Sequence, residues 1–486
     1  MSSCKDFTEE ETMLQSIARK LGVRVDRTPK CHCELAGEGI EYAWACSKNK
    51  YRSILIENKK GKENFTKTVR SCISRDHITR ERAQKFAKRA RRYIMGYHVL
   101  HQQQHNEAQD SSSSSNEAIV PIKLEQMVKN FKTHRCALDF DYSFCKEVFQ
   151  EAAAAVLDFN GLSILEVSHR HKDFVAVMDE AIALVKKALH VPDGYSVAFL
   201  QGGATLGFTI AALNMQRQTK RAGYMNTGTW ASGAIKEAKK VGIDVDVFAS
   251  SEDQNFTYIP KNYNVPTDVD YIHFTSNNTI YGTQFKDFPK TNLPLVCDMS
   301  SDIFSQEINV ADFDLIYAGA QKNLGPAGAT LYIVKDEALG KSTAQFMPTY
   351  LDLKQQIEKE SMLNTPPVFS VYVSMLNLRH LLANGGVSAQ QAKNEAKAQL
   401  LYSEIDSNPT FKGAVAAEDR SQMNVTFLLT DESRSDEFDQ MWKAAGIVGL
   451  PGHRSVGGYR ASLYNALPLE SVQVLVDVMS EFNRRG

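Results

Sequence analysis

The chain has 486 residues, 43% of them hydrophobic, and a formal net charge of −1 at pH 7. This length suits two or three globular domains, and the balanced charge excludes binding to nucleic acid or anionic lipid through overall charge alone. No stretch reaches the roughly 18 apolar residues of a membrane helix, and the N-terminus lacks a basic flank followed by an apolar run. We therefore expect a soluble, cytoplasmic protein with no membrane partner, and the sequence leaves an organelle open.

Residues 1–110 are predicted to form a basic, helical N-terminal extension. Basic side chains crowd the helical pattern of Thr79–Tyr97, which fits either a phosphate backbone or a solvated helix face. The segment Glu34–Trp44, ELAGEGIEYAW, resembles the tail of DDE-type transposases, with Glu41 as the acid that precedes the tryptophan. A working nuclease needs further carboxylates to hold two metal ions, and too little chain precedes Glu41 to supply them. We interpret residues 31–100 as an inactive fragment at most and expect no nucleic-acid partner.

A cluster of cysteine and histidine at Cys31, His32, Cys33 and Cys46 comes nearest to a metal-binding pattern. It lacks the paired, short ligand spacings of structural zinc sites, so we interpret these side chains as ordinary reduced residues and expect no metal. Residues 111–143 begin with the run Ser111–Ser115 and are predicted to form a linker.

After the linker, short apolar runs alternate with amphipathic stretches, which is typical of a parallel sheet covered by helices. The predicted strands are Tyr195–Leu200, Gly223–Met225, Val245–Ala249, Tyr271–Phe274, Leu293–Cys297, Leu315–Ala318 and Ala329–Val334. We predict an α/β fold, with a mostly parallel seven-stranded sheet flanked by helices in a large domain at 144–383. Residues 384–486 are predicted to form a smaller C-terminal α+β domain.

Lys322 is the first candidate for chemistry, because it follows an apolar strand in a turn of small residues, AGAQKNLGPAG at Ala318–Gly328. The glycines allow a tight loop and a close approach of the backbone to a ligand. An amine in this position could bind an aldehyde cofactor. The alternative is a surface cation, which is what most lysines after strands are.

Asp298 is the second candidate, at the end of the strand Leu293–Cys297. A pyridine cofactor accepts electrons when its ring nitrogen is protonated, and a neighbouring carboxylate stabilises that cation. The alternative is that Asp298 caps the turn Met299–Asp302.

The chain from Leu157 to Phe482 resembles the phosphoserine aminotransferase family nearly segment by segment. The shared strings are LEVSHR at Leu165–Arg170, DMSSDI at Asp298–Ile303, AGAQKN at Ala318–Asn323, NTPP at Asn364–Pro367 and GHRSVGGYRASLYNA at Gly452–Ala466. Their order and specificity identify residues from about 144 to 486 as a member of this family of class-V aminotransferases.

The resemblance implies a fold type I transferase in which Lys322 binds pyridoxal 5'-phosphate (PLP) covalently and Asp298 contacts the pyridine nitrogen. The turn Gly202–Thr205 precedes a predicted helix, Leu206–Asn214, whose first N–H groups would bind the cofactor phosphate. Trp230 would stack on the ring, although a core tryptophan is the plainer interpretation. The implied cofactor contacts are Ala204, Thr205, Trp230, Thr279, Asp298, Gln321, Lys322, Asn364 and Thr365.

The implied reaction transfers the amino group of L-glutamate to 3-phosphohydroxypyruvate, giving O-phospho-L-serine and 2-oxoglutarate in serine biosynthesis. A phosphorylated four-carbon substrate of pyridoxine biosynthesis is a second implied substrate. Guanidinium groups suit such anions because they bind planar oxyanions through paired hydrogen bonds, although each arginine could instead be a surface charge. The implied substrate-binding residues are His169, Arg170, His453, Arg454 and Arg460. The family also implies a homodimer, in which Asn364 and Thr365 complete the neighbouring site.

The chain departs from the family near its start, where Leu138–Val148, LDFDYSFCKEV, lacks the usual F-x-x-G-P turn beside the substrate. We therefore expect cofactor binding to survive better than turnover. Alternative functions are another class-V reaction, such as serine–glyoxylate transamination or cysteine desulfuration, and an impaired fusion with a DNA-binding N-terminal region. Desulfuration needs a mobile cysteine, and the candidate in the catalytic region, Cys297, is predicted to be buried.

Overall fold

The structure is a computed structural model, and it describes residues 136–137, 145–454 and 456–485. The predicted basic helix, the cluster around Cys31, the acid Glu41, the serine run and most of the predicted linker lie outside the described residues. So does the part of the departing segment from Leu138 to Phe144.

The helices α1 to α9 are, in chain order, Lys146–Leu157, Lys172–Ala188, Gly203–Met215, Thr229–Lys240, Leu353–Glu358, Val368–Ala383, Gly386–Ser407, Ser435–Ala444 and Leu469–Arg484. The strands β1 to β14 are Cys136–Ala137, Tyr195–Leu200, Arg221–Asn226, Asp244–Ser250, Ile272–Thr275, Asn277–Asn278, Thr283–Gln284, Leu295–Asp298, Leu315–Gly319, Thr330–Lys335, Phe411–Gly413, Asn424–Leu429, Ile447–Val448 and Tyr459–Ser462. Strand β1 pairs in parallel with β13, opposite Ile447 and Val448. None of the described helices is long and apolar enough to cross a membrane.

A seven-stranded central sheet has the order β2-β10-β9-β8-β5-β3-β4. Neighbours from β4 to β9 run parallel, whereas β10 is antiparallel to both β9 and β2. Every predicted strand coincides with one strand of this sheet, with ends that differ by a residue or two. The predicted mostly parallel α/β sheet is therefore confirmed.

Side chains of the central strands alternate between two hydrophobic clusters, one on each face of the sheet. On β9, Ile316 and Ala318 belong to the cluster that includes α2 and α6, whereas Leu315 and Tyr317 belong to the cluster that includes α3 and α4. Helices thus cover both faces, as parallel sheets require. Because both faces are covered, such a fold holds a ligand at the edge where the parallel strands end.

The C-terminal part of the chain forms a second, antiparallel sheet, β11-β12-β14. This sheet packs with α7, α8 and α9 around its own hydrophobic cluster. Hydrogen bonds join this part to the short antiparallel pair β6–β7: Asn277 Nδ2 donates to Asn424 Oδ1 at 2.8 Å, and Gln422 N donates to Gln284 Oε1 at 3.0 Å. The predicted domain boundary, between residues 383 and 384, lies just ahead of α7 and stays a prediction.

Candidate active site

The carboxyl ends of the parallel strands lie at one edge of the central sheet, and predicted cofactor residues follow them. Thr275, the last residue of β5, pairs with Asp298, the last residue of β8. Thr330 of β10 pairs with both Gly319 at the end of β9 and Leu200 at the end of β2. The turns after these strands therefore open at the same edge.

Lys322 lies in the turn after β9, and only 6% of its surface is exposed. Its Nζ donates to Oγ1 of Thr279, a buried residue between β6 and β7, at 3.0 Å. Arg460 of β14 is buried at the same place, with Nη1 3.4 Å from Thr279 O. Gln321 is partly buried, and its side chain folds back over Gly319. The surface-cation interpretation is therefore wrong for both Lys322 and Arg460, and the structure brings them together around Thr279.

Asp298 is 3% exposed at the end of β8. Its Oδ1 accepts hydrogen bonds from Ser300 N at 2.9 Å and from Ser300 Oγ at 2.6 Å. Burial raises the pKa of Asp298, while the hydrogen bonds from Ser300 and the positive charge of Lys322 act against that rise. Asp298 thus caps the turn that follows it, and it also interacts with Lys322. A buried carboxylate of this kind is stabilised further by any cation placed beside it.

Asp302 is a buried acid to which the sequence analysis assigned no role, although it belongs to the DMSSDI string. Its Oδ1 accepts a hydrogen bond from Ser276 Oγ, and its Oδ2 accepts one from Gln284 Nε2 at 3.3 Å. Burial raises the pKa of Asp302 to about 6, and the charge of Asp298 contributes to the rise. The signal that could have found it is an acid among small and apolar residues directly after a buried strand.

We expect Asp302→Asn to remove part of the pH dependence of stability. The folded state holds the Asp302 proton more tightly than the unfolded chain, whose carboxyl has a pKa of about 4. The wild-type free energy of unfolding should therefore fall, relative to the variant, as pH rises from about 4 to about 6, by about 3 kcal/mol for a shift of about two units. Denaturant unfolding of both cofactor-free proteins across this range measures the difference.

A matched variant, Ser276→Ala, should change this pH dependence in the opposite direction. The hydrogen bond from Ser276 lowers the pKa of Asp302, so its loss should raise that pKa further and widen the pH range over which stability falls. Parallel pH profiles for wild type and Asp302→Asn would contradict the assignment.

The turn between β2 and α3 has the backbone of an anion-binding site. Gly202 and Gly203 have φ angles of 104° and 63°, which glycine adopts without strain. Helix α3 begins at Gly203, so the N–H groups of its first turn, including those of Ala204 and Thr205, lack partners within the helix. A Cβ on Gly203 would meet no atom within 4 Å. This helix end therefore faces open space at the sheet edge, where an anion could accept its hydrogen bonds.

The NTPP turn lies beside the residue that precedes Gly202. Gln201 Nε2 donates to Thr365 O at 2.8 Å, and Asn364 Nδ2 donates to Gln201 Oε1 at 3.0 Å. Asn364 and Thr365 are both exposed. The structure thus places them next to the anion-binding turn within one chain, and their predicted contact with a second chain stays a prediction.

Trp230 is the second residue of α4, directly after the turn that follows β3. It is 37% exposed, so the interpretation as a core tryptophan is wrong. Its predicted stacking on a cofactor ring stays a prediction.

His169 and Arg170, which precede α2, differ in their surroundings. Arg170 is exposed, whereas His169 is buried and its Nε2 has no hydrogen-bond partner among the described residues. Burial, and secondarily the charge of Arg170, lower the pKa of His169. A buried polar atom of this kind is stabilised when a ligand supplies the missing hydrogen bond.

The glycine-rich loop from Gly452 to Gly458 holds His453 and Arg454 on the surface. Gly457 and Gly458 have φ angles of 75° and 57°, and a Cβ on Gly452 would collide with Gly457 O. The loop therefore depends on glycine. For Arg170, Trp230 and Arg454, no side-chain hydrogen bond to Lys322, Thr279 or Asp298 occurs in the part of the chain that the structure describes.

Comparison with known sequences finds a match between residues 143–475 and the family described as aminotransferase class-V. The phosphoserine aminotransferase of Flavobacterium johnsoniae is 60% identical over 337 residues, which cover 69% of this chain and 94% of the relative. The region of similarity includes every strand of the central sheet and both turns that hold Lys322 and Asp298.

Solved structures of similar chains have the same architecture. The phosphoserine aminotransferase from Bacillus circulans subsp. alkalophilus superposes with a TM-score of 0.69 at 42% identity, covering 72% of this chain and 99% of that one. The PLP-bound phosphoserine aminotransferase from Trichomonas vaginalis gives a TM-score of 0.67 at 32% identity, covering 71% and 99%.

Proposed function

The chain belongs to the phosphoserine aminotransferases of the class-V aminotransferase family, and from that premise we propose that it transfers the amino group of L-glutamate to 3-phosphohydroxypyruvate. The products are O-phospho-L-serine and 2-oxoglutarate. The protein is a PLP-dependent transaminase of fold type I. One observation carries the proposal: the amine of Lys322 is buried at the edge of the sheet where Asp298 also lies.

The residues at this edge fit PLP. The first turn of α3, with Ala204 and Thr205, offers N–H groups to the phosphate, and Lys322 offers an amine to the aldehyde. Asp298 is a buried carboxylate whose pKa burial raises, so a protonated ring nitrogen beside it would stabilise its charged form. In this proposal the exposed Trp230 stacks on the ring, Thr279 hydrogen-bonds the ring oxygen, and Gln321 contacts the phosphate.

Bound PLP supplies an electron sink that makes the α-proton of an amino acid acidic. Once the amino group of glutamate has replaced it at the aldehyde, Lys322 Nζ would act as the general base that accepts the α-proton, since this amine is buried at the same edge. Thr279 Oγ1 holds the amine at the sheet edge. In the second half-reaction Lys322 returns a proton to the α-carbon of the product, which fixes the stereochemistry of O-phospho-L-serine.

The substrates are anions, and the basic residues of the site supply their partners. Arg460 is buried beside Thr279, so its guanidinium is positioned before the substrate arrives. Arg170, Arg454 and His453 are exposed, and we expect them to contact carboxylate or phosphate groups from the solvent side. Because burial lowers the pKa of His169, it contributes a hydrogen bond rather than a charge near pH 7.

The reaction itself tests the proposal. Purified protein with PLP should show a visible absorbance band that glutamate removes and 3-phosphohydroxypyruvate restores, with O-phosphoserine detected by mass spectrometry. The same assay with glyoxylate and serine tests the other class-V reaction. A coloured protein that forms product from serine and glyoxylate, and none from 3-phosphohydroxypyruvate, would contradict the proposed substrate.

The desulfurase alternative lacks support because Cys297 is fully buried on β8 and burial raises its pKa well above the ordinary value. Its thiolate is therefore disfavoured as a mobile nucleophile. For location, we propose the cytoplasm, since the substrates are soluble metabolites of amino-acid synthesis.

We further propose that the active form is a homodimer in which Asn364 and Thr365 of one chain complete the phosphate site of the other. Both residues are exposed beside Gln201, at the rim of the anion-binding turn, where a second chain could approach. Two-fold symmetric dimers are the commonest assemblies, and they place the same rim of both chains together.

Mixing inactive subunits tests this arrangement. Lys322→Ala lacks the amine, and the double variant Asn364→Ala with Thr365→Ala lacks the rim contacts. When the two variants are unfolded together and refolded, a mixed dimer contains one complete site if the rim acts across chains. Activity should then recover to about a quarter of wild type, since half of randomly formed dimers are mixed and one of their two sites is complete. Recovery no greater than the sum of the two variants would show that the rim acts within its own chain.

A further inference from the structure

Three side chains with metal-binding atoms meet where α1 begins and α6 ends, away from Lys322. Cys145 precedes α1 as its N-cap residue, Glu147 lies in the first turn of α1, and His380 lies in the last turn of α6. Sulfur, carboxylate oxygen and ring nitrogen atoms from the three residues all lie within 4.8 Å of one another. Cys145 and His380 are partly buried, and Glu147 is exposed.

The two helices that carry these ligands are packed together, so the cluster is held by the fold. Val148 and Ala152 of α1 and Val371 and Met375 of α6 belong to the same hydrophobic cluster. Asn384 Nδ2 donates to His380 Nε2 at 3.2 Å and to His380 O at 2.8 Å, which fixes the orientation of the ring.

We propose that Cys145, Glu147 and His380 bind a divalent cation of borderline softness, with Zn²⁺ as the best fit. Thiolate, imidazole and carboxylate groups all bind Zn²⁺ in proteins, whereas Mg²⁺ and Ca²⁺ prefer oxygen ligands alone. The two anionic ligands together neutralise the charge of the ion. Three protein ligands leave the fourth tetrahedral position open.

A neighbouring cavity gives that open position room for water or a small ligand. The cavity has a volume of about 420 Å³, and Cys145 and His380 form part of its wall. Its other walls include the polar side chains of Asn323, Asn377 and Gln390. Lys393 also lines it and adds a positive charge, so both anionic ligands are needed to hold a cation here. Asn323, the residue after Lys322, also lines the cavity.

Protection of the Cys145 thiol tests the site in the full-length wild-type protein with PLP bound. The protein is treated with iodoacetamide with and without Zn²⁺, and modification of each cysteine is followed by peptide mass spectrometry. Zn²⁺ should slow the alkylation of Cys145, which is partly exposed, and a chelator should restore it. Because the readout is specific to the Cys145 peptide, zinc bound at other cysteines does not affect it. Equal alkylation of Cys145 with and without Zn²⁺ would overturn the proposal.

Cobalt binding by variants gives an independent readout. Wild type should bind one Co²⁺ more per chain than Cys145→Ser or Glu147→Gln, and should show a thiolate-to-cobalt charge-transfer band that Cys145→Ser lacks. Loss of one ligand should weaken this site at least about 100-fold, since loss of an outer partner alone costs 10- to 100-fold. The control, His190→Asn, changes an exposed histidine at a positive φ of 48°, which asparagine tolerates. The same cobalt stoichiometry and spectrum in all four proteins would overturn the proposal.

Discussion

Replacing Lys322 with alanine should abolish O-phosphoserine formation, lowering kcat by about 10³-fold or more, because proton transfer by a positioned base alone contributes 10²- to 10⁴-fold. The variant also loses the amine that we propose binds the cofactor covalently, so the absorbance band of that covalent bond should disappear. Cofactor should still bind through the first turn of α3, which the substitution leaves unchanged. Stopped assays and absorbance spectra of the purified variant measure both effects.

Two further variants test whether activity requires the amine of Lys322 or only its positive charge. Lys322→Arg keeps a positive charge beside Asp298 but cannot act as a base or form the covalent bond, and it should be as inactive as Lys322→Ala. Lys335→Ala removes another lysine at a strand end, on β10, which is partly exposed and 3.9 Å from Glu337. That control should keep both the absorbance band and the activity. Retention of activity in Lys322→Ala would contradict the assigned role.

Asp298→Asn should lower kcat by about 10- to 1,000-fold while PLP remains bound. A carboxylate beside a cation changes its pKa by one to three units, and each unit corresponds to about 1.4 kcal/mol. The amide cannot stabilise a protonated ring nitrogen in this way, so the electron sink weakens. Since Lys322 and the turn before α3 are unchanged, the covalent bond to the cofactor should form. The pH dependence of the visible band, followed together with kcat, reports the change.

The stability of the cofactor-free Asp298→Asn protein shows whether a lower kcat comes from the lost charge or from misfolding. Burial raises the pKa of Asp298, so at neutral pH its charge costs folding free energy that the amide removes, while the amide oxygen can still accept from Ser300. The variant should therefore unfold no earlier than wild type. Asp314→Asn is a matched control, because Asp314 Oδ2 accepts a hydrogen bond from Leu295 N at 3.0 Å, at the opposite end of β8. Because an amide oxygen can also accept from Leu295, that variant should keep the stability, the band and the kcat of wild type. An unchanged kcat in Asp298→Asn would contradict the assignment.

The sheet could be predicted because its strands are continuous apolar runs separated by turns. Leu315–Gly319 and Thr330–Lys335 are buried along nearly their whole length, and such strands leave a clear signal. The position of Lys322 could be predicted for the same reason, since it follows one of these runs in a turn rich in glycine. The roles of the other cofactor residues came from the family resemblance rather than from any pattern of their own.

What could not be predicted depends on contacts between distant parts of the chain. Asp302 meets Ser276 and Gln284 across the fold. Lys397 looks like an ordinary helix-surface lysine, yet it is 1% exposed and donates to Leu463 O at 2.9 Å and Tyr464 O at 2.8 Å. Burial lowers its pKa to about 7. Helical spacing gives no sign of such a partner, because the carbonyl groups belong to a segment more than sixty residues away.

The cluster of Cys145, Glu147 and His380 was missed for the same reason. Ligands at short spacings leave a signal along a sequence, whereas here one helix begins with two of the proposed ligands and another, far along the chain, ends with the third. The cluster at Cys31, His32, Cys33 and Cys46 attracted attention because it is local.

Identifying the lysine that carries the cofactor tests the central claim most directly. The full-length protein is loaded with PLP, reduced with borohydride so that the bond between cofactor and amine becomes permanent, and digested for peptide mass spectrometry. We expect the cofactor on the peptide that contains Lys322, with none on the Lys335 or Lys397 peptides. Cofactor on a different lysine, or on none, would contradict the assignment of this chain's active site.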